Sequence, residues 1–124
     1  WALQAAPLLI GAHFTQVEEW TTNLLGNREM LAVNQDALGK AAGRKSRDGW
    51  TEVWARALEG GSMAVGLFNR GPEAAAMSVD FADLGLAGTH AVRDIWSQKD
   101  LPRASGKFSA TVPRHGVVFV RFAK

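Results

Sequence analysis

Cysteine and tyrosine are both absent from this 124-residue sequence, and the lack of cysteine excludes disulfides, thiolate metal sites and cysteine nucleophiles. Neither sign of charge is in large excess. Fourteen Lys and Arg against twelve Asp and Glu leave a formal net charge of +2, too little to indicate electrostatic capture of nucleic acid. The longest apolar run, residues 5–12, is interrupted by Pro7 and Gly11 and falls below the roughly 18 residues of a membrane span. No nucleic-acid or membrane partner is therefore expected.

Tryptophan and phenylalanine, by contrast, are abundant, at five and six residues. Together with 47% hydrophobic and 21% charged residues, they indicate a folded globular chain rather than a disordered one. The sequence begins at Trp1 rather than Met, and its first residues read like the interior of a domain. We therefore expect it to be a segment of a longer protein.

The first 40 residues show mainly helical spacing. Residues 7–11 form a short continuous apolar run, which is typical of a strand buried on both faces of a parallel sheet. Helices are predicted within residues 15–36, where Thr15 and Glu18 fit a capping box and Asn27 fits the N-cap of a second helix. The apolar residues predicted to face inward are Val17, Trp20, Leu24, Leu25, Met30 and Val33.

From residue 50 onward the hydrophobic period falls to two, which indicates strands. Residues 39–49, before this change, hold few large apolar side chains and are predicted as a loop with room for one short edge strand. Short strands separated by Gly and Pro turns predict a mainly β fold, an antiparallel sandwich or barrel. The predicted strands are residues 50–58, 63–69, 75–81, 90–96, 107–112 and 117–123.

Five sequence motifs coincide in order and spacing with those of a known enzyme family. Residues 27–39 read Asn-Arg-Glu-Met-Leu-Ala-Val-Asn-Gln-Asp-Ala-Leu-Gly, and residues 93–96 read Arg-Asp-Ile-Trp. The others are residues 5–11 (Ala-Ala-Pro-Leu-Leu-Ile-Gly), 64–70 (Ala-Val-Gly-Leu-Phe-Asn-Arg) and 113–116 (Pro-Arg-His-Gly). Together they resemble the C-terminal part of the α-galactosidases and α-N-acetylgalactosaminidases (melibiases) of glycoside hydrolase family 27, over essentially the whole chain.

The resemblance implies an architecture in two parts. Residues 1–40 would be the end of a (β/α)8 catalytic barrel, with residues 7–11 as its eighth strand and residues 15–36 as the helices that follow. Residues 41–124 would be the C-terminal antiparallel β-sandwich. The fold class is then mainly β, a Greek-key-like sandwich preceded by a helical remnant of the barrel.

The resemblance also implies that the parent enzyme hydrolyses terminal α-galactosides with retention and without a cofactor. Its two catalytic aspartates would lie on barrel strands that precede Trp1, so no catalytic residue is assigned here and the chain alone is predicted to be inactive. Its expected partners are the catalytic barrel and, through it, the α-galactoside substrate. Specificity for galactose or N-acetylgalactosamine is left open. Localisation is open as well, since members of the family are often secreted, periplasmic or lysosomal.

Two residues are candidates for contact with substrate. His13 follows the predicted strand at the end where barrel enzymes build their sites, and it stands where the family commonly has an acidic residue; a plain loop histidine is the alternative. Trp50, beside a Gly and near an Asp, is the best candidate for stacking on a sugar ring, whereas Trp54 is expected in the core. No metal site is predicted, because the three histidines lack ligand spacing.

Charged residues near the predicted linker have structural explanations. The basic residues of segment 40–47 are predicted to be a solvated loop, with phosphate contact as the alternative. Asp36 is expected to anchor a turn through bonds from its side chain to the backbone. Ala37 replaces the Pro that is usual in this family motif, a change expected only to loosen the turn.

The N-terminal apolar run has a consequence for the isolated chain. Leu8–Ile10 would lack flanking strands, and each large exposed apolar side chain forfeits about 1.5–3 kcal/mol of burial. Residues 1–40 are therefore predicted to mediate self-association. The rival function, from a different class, is a non-catalytic carbohydrate-binding or interaction β-module.

Overall fold

The structure of the chain, a computed structural model, describes residues 1–124 with the exception of the side chain of Phe14. Over this described part, short helices precede a body of eight strands. The helices are α1 (Glu19–Leu25), α2 (Arg28–Asn34) and α3 (Phe81–Leu84), and 3-10 turns cover Ala2–Gln4, Phe14–Gln16 and Glu59–Gly61. The strands are β1 (Gly43–Asp48), β2 (Thr51–Ala57), β3 (Met63–Asn69), β4 (Ala75–Asp80), β5 (Thr89–Asp94), β6 (Lys99–Ser105), β7 (Lys107–Val112) and β8 (Gly116–Ala123).

The strands form two antiparallel sheets. Six of them lie in the order β1-β2-β3-β8-β5-β6, and β4 pairs with β7 in the second sheet. The chain crosses to the smaller sheet for β4, returns for β5 and β6, crosses again for β7 and returns for β8. Because β8 is thereby inserted between β3 and β5, the connections are Greek-key-like. The predicted fold class, a mainly β antiparallel sandwich after a helical segment, is confirmed.

The main core lies between the two sheets, where alternate side chains of each strand meet. In β4, Met77 and Val79 are buried while Ser78 and Asp80 are exposed, as the period-two pattern predicts. Aromatic rings fill the centre of this core, and Phe122 is in contact with two of them. The other buried members are Val53, Ala55, Val65, Leu67, Phe81, Leu84, Val92, Phe108, Val112 and Val120.

A second apolar cluster covers part of the outer face of the six-stranded sheet. Leu3 from the N-terminal segment packs there together with Met30 and Val33 from α2, which confirms that these two α2 residues face inward. The backbone N–H of Ala42 donates to the carbonyl oxygen of Leu3 at 2.7 Å, which ties the start of the chain to the entry of β1. From the strands and the segments that join them, the cluster takes in Leu58, Ala64, Ile95 and Phe119.

Residues 7–11 do not form the predicted strand. A parallel strand is held by hydrogen-bonded ladders to its neighbours, and within the described residues no strand pairs with this segment. Leu9 is consequently 92% exposed. The segment lacks, in this chain, the neighbours that would make it a strand, and its place as a strand of the barrel stays a prediction.

The first helix begins later than predicted. Glu18 is the N-cap of α1, without a side-chain hydrogen bond, and Thr15 lies in a separate 3-10 turn, so the predicted capping box is not formed. α1 buries none of its residues, and the predicted apolar stripe leaves Trp20 69% exposed. The N-terminal segment is therefore only partly packed on the sandwich.

Candidate functional site

The two predicted substrate-contact residues lie on separate surface elements. His13 is exposed and directly precedes the 3-10 turn Phe14–Gln16. Trp50 is 64% exposed in the turn between β1 and β2. Two pockets, described below, open on the outer face of the six-stranded sheet, and neither residue lies in their walls. Neither pocket therefore brings these two side chains together.

Trp54 lies on the outer face of β2 rather than in the main core. It is half-buried and packs against the second apolar cluster, and the Arg44 guanidinium lies 5.9 Å from the centre of its ring. Its indole Nε1 donates to Glu52 Oε2 at 2.8 Å. Trp54 is thus packed rather than exposed, but against the second apolar cluster and not between the two sheets, because the even-numbered residues of β2 face outward.

Glu52 is the centre of a charged cluster on this face. Its side chain is buried, and its Oε1 lies 3.1 Å from Arg70 Nη2, 3.9 Å from Arg44 Nη1 and 3.8 Å from Arg47 Nε. The three arginine side chains are about half-exposed. One carboxylate thus faces three guanidinium groups, here called the arginine cluster (Arg44, Arg47 and Arg70), and a surplus of two positive charges remains.

The surroundings of Glu52 favour its ionised form. The hydrogen bond from the Trp54 indole, and the positive charges of Arg70, Arg44 and Arg47, hold the pKa of the Glu52 carboxyl below its ordinary value of 4.5. Burial opposes this effect without cancelling it. The carboxylate is therefore charged at neutral pH.

A pocket of about 210 Å³ opens beside the arginine cluster. Aromatic rings supply much of its wall, and Arg70, Glu52 and Gln4 supply the polar groups. The remaining wall residues are Trp1, Leu3, Trp54 and Phe68. The pocket is smaller than the roughly 300–1,000 Å³ of sites for drug-sized ligands, and it matches a ligand of about one ring in size.

A smaller pocket, of about 100 Å³, lies next to it along the outer face. Phe68 and Leu3 contribute to both, and Trp96 stands on the far side, with its ring centre 5.7 Å from that of Phe119. The wall of this second pocket is almost entirely apolar: Trp1, Ala2, Leu3, Phe68, Trp96, Val117 and Phe119. This second pocket can bury an apolar group, but its side chains offer almost no hydrogen-bonding or catalytic groups.

Polar side chains fasten α2 to the sandwich. Glu29 forms a bidentate ion pair with Arg93 of β5, with Nη2 2.7 Å from Oε1, and this hydrogen bonding raises the pKa of the arginine. After α2, Asp36 accepts from the backbone N–H of Leu38 at 3.1 Å and of Glu59 at 3.0 Å. The predicted turn-anchoring role of Asp36 is confirmed.

The buried side chain of Arg56 holds the start of the chain by a hydrogen bond. It is 2% exposed, and its Nη1 donates to the carbonyl oxygen of Ala2 at 2.7 Å. Its Nε and Nη2 atoms are buried without a partner among the described residues.

Two classes of site are not found in the described part of the chain. There, no three His, Asp or Glu side chains are grouped so as to hold a metal ion. Among the described helices, none has both the length and the apolar content to cross a membrane.

Comparison with known proteins matches this architecture. A family described as the α-galactosidase C-terminal β-sandwich domain matches residues 48–122. The α-galactosidase of Coffea arabica is 41% identical over 117 residues, which cover 93% of this chain and 31% of that protein. The enzyme of Oryza sativa is also 41% identical over 117 residues, covering 93% of this chain and 28% of the relative. The chain thus spans about a third of the length of these curated relatives.

Solved structures agree with the fold. The crystal structure of α-galactosidase I from Mortierella vinacea superposes with a TM-score of 0.94 at 31% identity, over 100% of this chain and 33% of that one. A GH27 β-L-arabinopyranosidase from Geobacillus stearothermophilus gives a TM-score of 0.93 at 27% identity, over 100% of this chain and 28% of that one. The motifs, the sandwich topology and these matches agree, and this chain belongs to the α-galactosidase C-terminal β-sandwich family, as a C-terminal segment of such enzymes.

Proposed function

We propose that this chain is the structural C-terminal segment of a retaining glycoside hydrolase that acts on terminal α-galactosides. In this proposal residues 1–40 complete the catalytic barrel, residues 41–124 form the sandwich that supports it, and the catalytic carboxylates belong to the rest of the enzyme. The parent relation is supported by relatives that are named α-galactosidases and of which this chain spans about a third.

The observation that carries the proposal is the apolar surface left uncovered on the N-terminal segment. Leu9 is 92% exposed and Trp20 69%, and α1 buries none of its residues. Large apolar side chains this exposed are uncommon on a protein that stands alone, and contiguous patches of them mark contact surfaces. A barrel that continues from residues 7–11 would cover this surface and give the segment its missing ladder.

The acidic residues support a structural rather than a catalytic role. A retaining glycosidase needs two carboxyl groups about 5 Å apart that are free to act on the sugar. The acids that are not fully exposed each hold hydrogen bonds within the fold. They are Glu29, Asp36, Glu52 and Asp94. These bonds give each of the four acids a role in holding the fold together.

Two experiments test this proposal. The isolated chain, assayed with a chromogenic α-galactoside, is expected to give no hydrolysis above buffer. A chimera in which this chain replaces the matching C-terminal segment of the Coffea arabica α-galactosidase is expected to be soluble and to hydrolyse that substrate. Hydrolysis by the purified chain alone would refute the assignment of catalysis to the missing part. A folded chimera without activity would argue against the structural role.

A second candidate, a non-catalytic carbohydrate-binding module, is favoured by the exposure of Trp50. Its backbone carbonyl accepts from the N–H of Arg70 at 2.9 Å, which holds the turn, while the indole remains 64% exposed for stacking on a sugar ring. Titration of the isolated chain with galactose distinguishes this function. Saturable binding that Trp50→Ala abolishes would establish the carbohydrate-binding function. If no binding is found, only the structural role remains.

A further inference from the structure

The arginine cluster and the pocket beside it share one wall, because Glu52 and Arg70 belong to both. Arg70 has the closest ion pair with Glu52, whereas Arg44 and Arg47 approach the same oxygen only at 3.9 and 3.8 Å. Those two distances are too long for hydrogen bonds. Arg47 Nε donates a long bond of 3.5 Å to the carbonyl oxygen of Gly49, and the other guanidinium N–H donors of Arg44 and Arg47 are available for an oxyanion, which arginine recognises through two parallel bonds.

Charge favours the same occupant. Three guanidinium groups that meet at one carboxylate oxygen repel one another, and Glu52 neutralises only one of the three charges. Arg70 is in the pocket wall beside Glu52, and Arg44 and Arg47 approach the same carboxylate from outside that wall, so an anion at the arginine cluster meets a net positive charge. On one side of the cluster the Arg44 guanidinium lies 5.9 Å from the centre of the Trp54 ring, whose Nε1 donates to Glu52.

The pocket sets the size and shape of the rest of the ligand. About 210 Å³ with aromatic walls from Trp1, Trp54 and Phe68 suits one flat-faced ring, and Gln4 adds an amide for hydrogen bonding. We propose that this pocket binds a monosaccharide-sized ring that carries an oxyanion, with the anionic group against the arginine cluster and the ring against the aromatic wall. Trp50 is not in the wall of this pocket.

The test is a titration of the whole 124-residue chain, followed by NMR through the indole N–H signal of Trp54, which reports on the bond to Glu52. Two acidic sugars are tested: galacturonate, which carries a carboxylate, and glucose 6-phosphate, which carries a phosphate. Galactose, a ring without a charge, and inorganic phosphate, a charge without a ring, are the controls. We expect saturable shifts with at least one acidic sugar, and at least about tenfold weaker binding of galactose and of inorganic phosphate. That binding is expected to weaken as salt rises from 20 to about 300 mM, because the cluster is half-exposed.

Matched variants separate a binding site from a merely structural network. Arg70→Gln is expected to weaken binding about three- to tenfold, and Arg114→Gln, which removes one charge from an exposed turn, to leave it unchanged. Glu52→Gln raises the surplus charge and is expected to tighten binding about threefold, an effect that a purely structural role for Glu52 would not give.

Several results would overturn the proposal. They are the absence of any saturable shift at 50 mM acidic sugar in low salt, equal binding of galactose, and equal weakening by Arg114→Gln. If Arg70→Gln fails to fold, the double variant Arg44→Gln/Arg47→Gln replaces it, since both residues are half-exposed on an edge strand. An unchanged affinity in that folded double variant would equally reject the site.

Discussion

Asn27 Nδ2 donates to the carbonyl oxygen of Ile95 at 2.9 Å, across 68 positions of sequence. The same side chain accepts through Oδ1 from the backbone N–H groups of Glu29 and Met30, at 3.0 and 3.1 Å. One buried amide therefore caps α2 and binds this helix to the end of β5. If the N-terminal segment belongs to a barrel, Asn27 is a point where barrel and sandwich are joined.

Asn27→Ala is expected to lower the free energy of unfolding by about 2–4 kcal/mol. The loss combines an N-cap, about 1 kcal/mol, with a buried carbonyl left without its donor, about 1–3 kcal/mol. Asn27→Ser keeps a neutral capping oxygen and loses only the amide donor, so its loss should be the smaller. Urea unfolding followed by circular dichroism measures both. Equal losses in the two variants would contradict the double role.

Glu52 is expected to make stability depend on pH in the acid range. Its folded-state pKa lies below the ordinary 4.5, so its ionised form contributes stability that is present above pH 4.5 and is lost as the pH falls through the folded value. Glu52→Gln should lose that contribution at neutral pH and show a flatter profile between pH 5 and about 2. Chemical unfolding across this range, with Glu73→Gln as the exposed-acid control, measures the difference. Parallel profiles for Glu52→Gln and wild type would contradict it.

Gly66 of β3 leaves room for the N-terminal segment on the outer face. A Cβ at this position would lie 2.7 Å from Leu3 Cδ1 and 2.6 Å from Phe68 Cε2. Gly66→Ala should therefore displace Leu3 and cost about 1–3 kcal/mol. Hydrogen exchange at the N–H of Ala42, which donates to Leu3, should become faster. Gly43→Ala meets no atom within 4 Å and serves as the control; an equal loss there would contradict the mechanism.

The sequence pattern identifies the strands that pack on the main core far better than the two edge strands of the six-stranded sheet. β2, β3, β4, β5, β7 and β8 carry buried apolar residues on at least one face, which the spacing of large side chains reveals. β6 was missed because it is an edge strand of mostly exposed residues and contains Pro102. β1, predicted only as a loop with room for an edge strand, is exposed at every position and charged at most of them. Edge strands of this kind have little hydrophobic signal, because charge protects them from further pairing.

The arginine cluster depends on a feature of register that the sequence does not display. Arg44 and Arg47 are three residues apart, so a regular strand would point them to opposite faces. A bulge between Arg44 and Ser46 shifts the register, and Arg44 then pairs with Trp54 while Arg47 pairs with Glu52. Both arginines reach the outer face for this reason. Composition alone predicted a solvated loop here.

The uncovered N-terminal surface should make the isolated chain self-associate. Leu9 and Trp20 are 92% and 69% exposed, and each loses burial that a second copy could restore. Wild-type protein is expected to elute in size-exclusion chromatography with an apparent mass that rises with concentration. Leu9→Ser/Trp20→Ser should restore a monomer over the same range. Trp50→Ser removes an equally exposed aromatic residue outside this segment and should leave the association unchanged. A wild-type chain that stays monomeric at high concentration would contradict the prediction that the exposed apolar residues of segment 1–40 drive self-association.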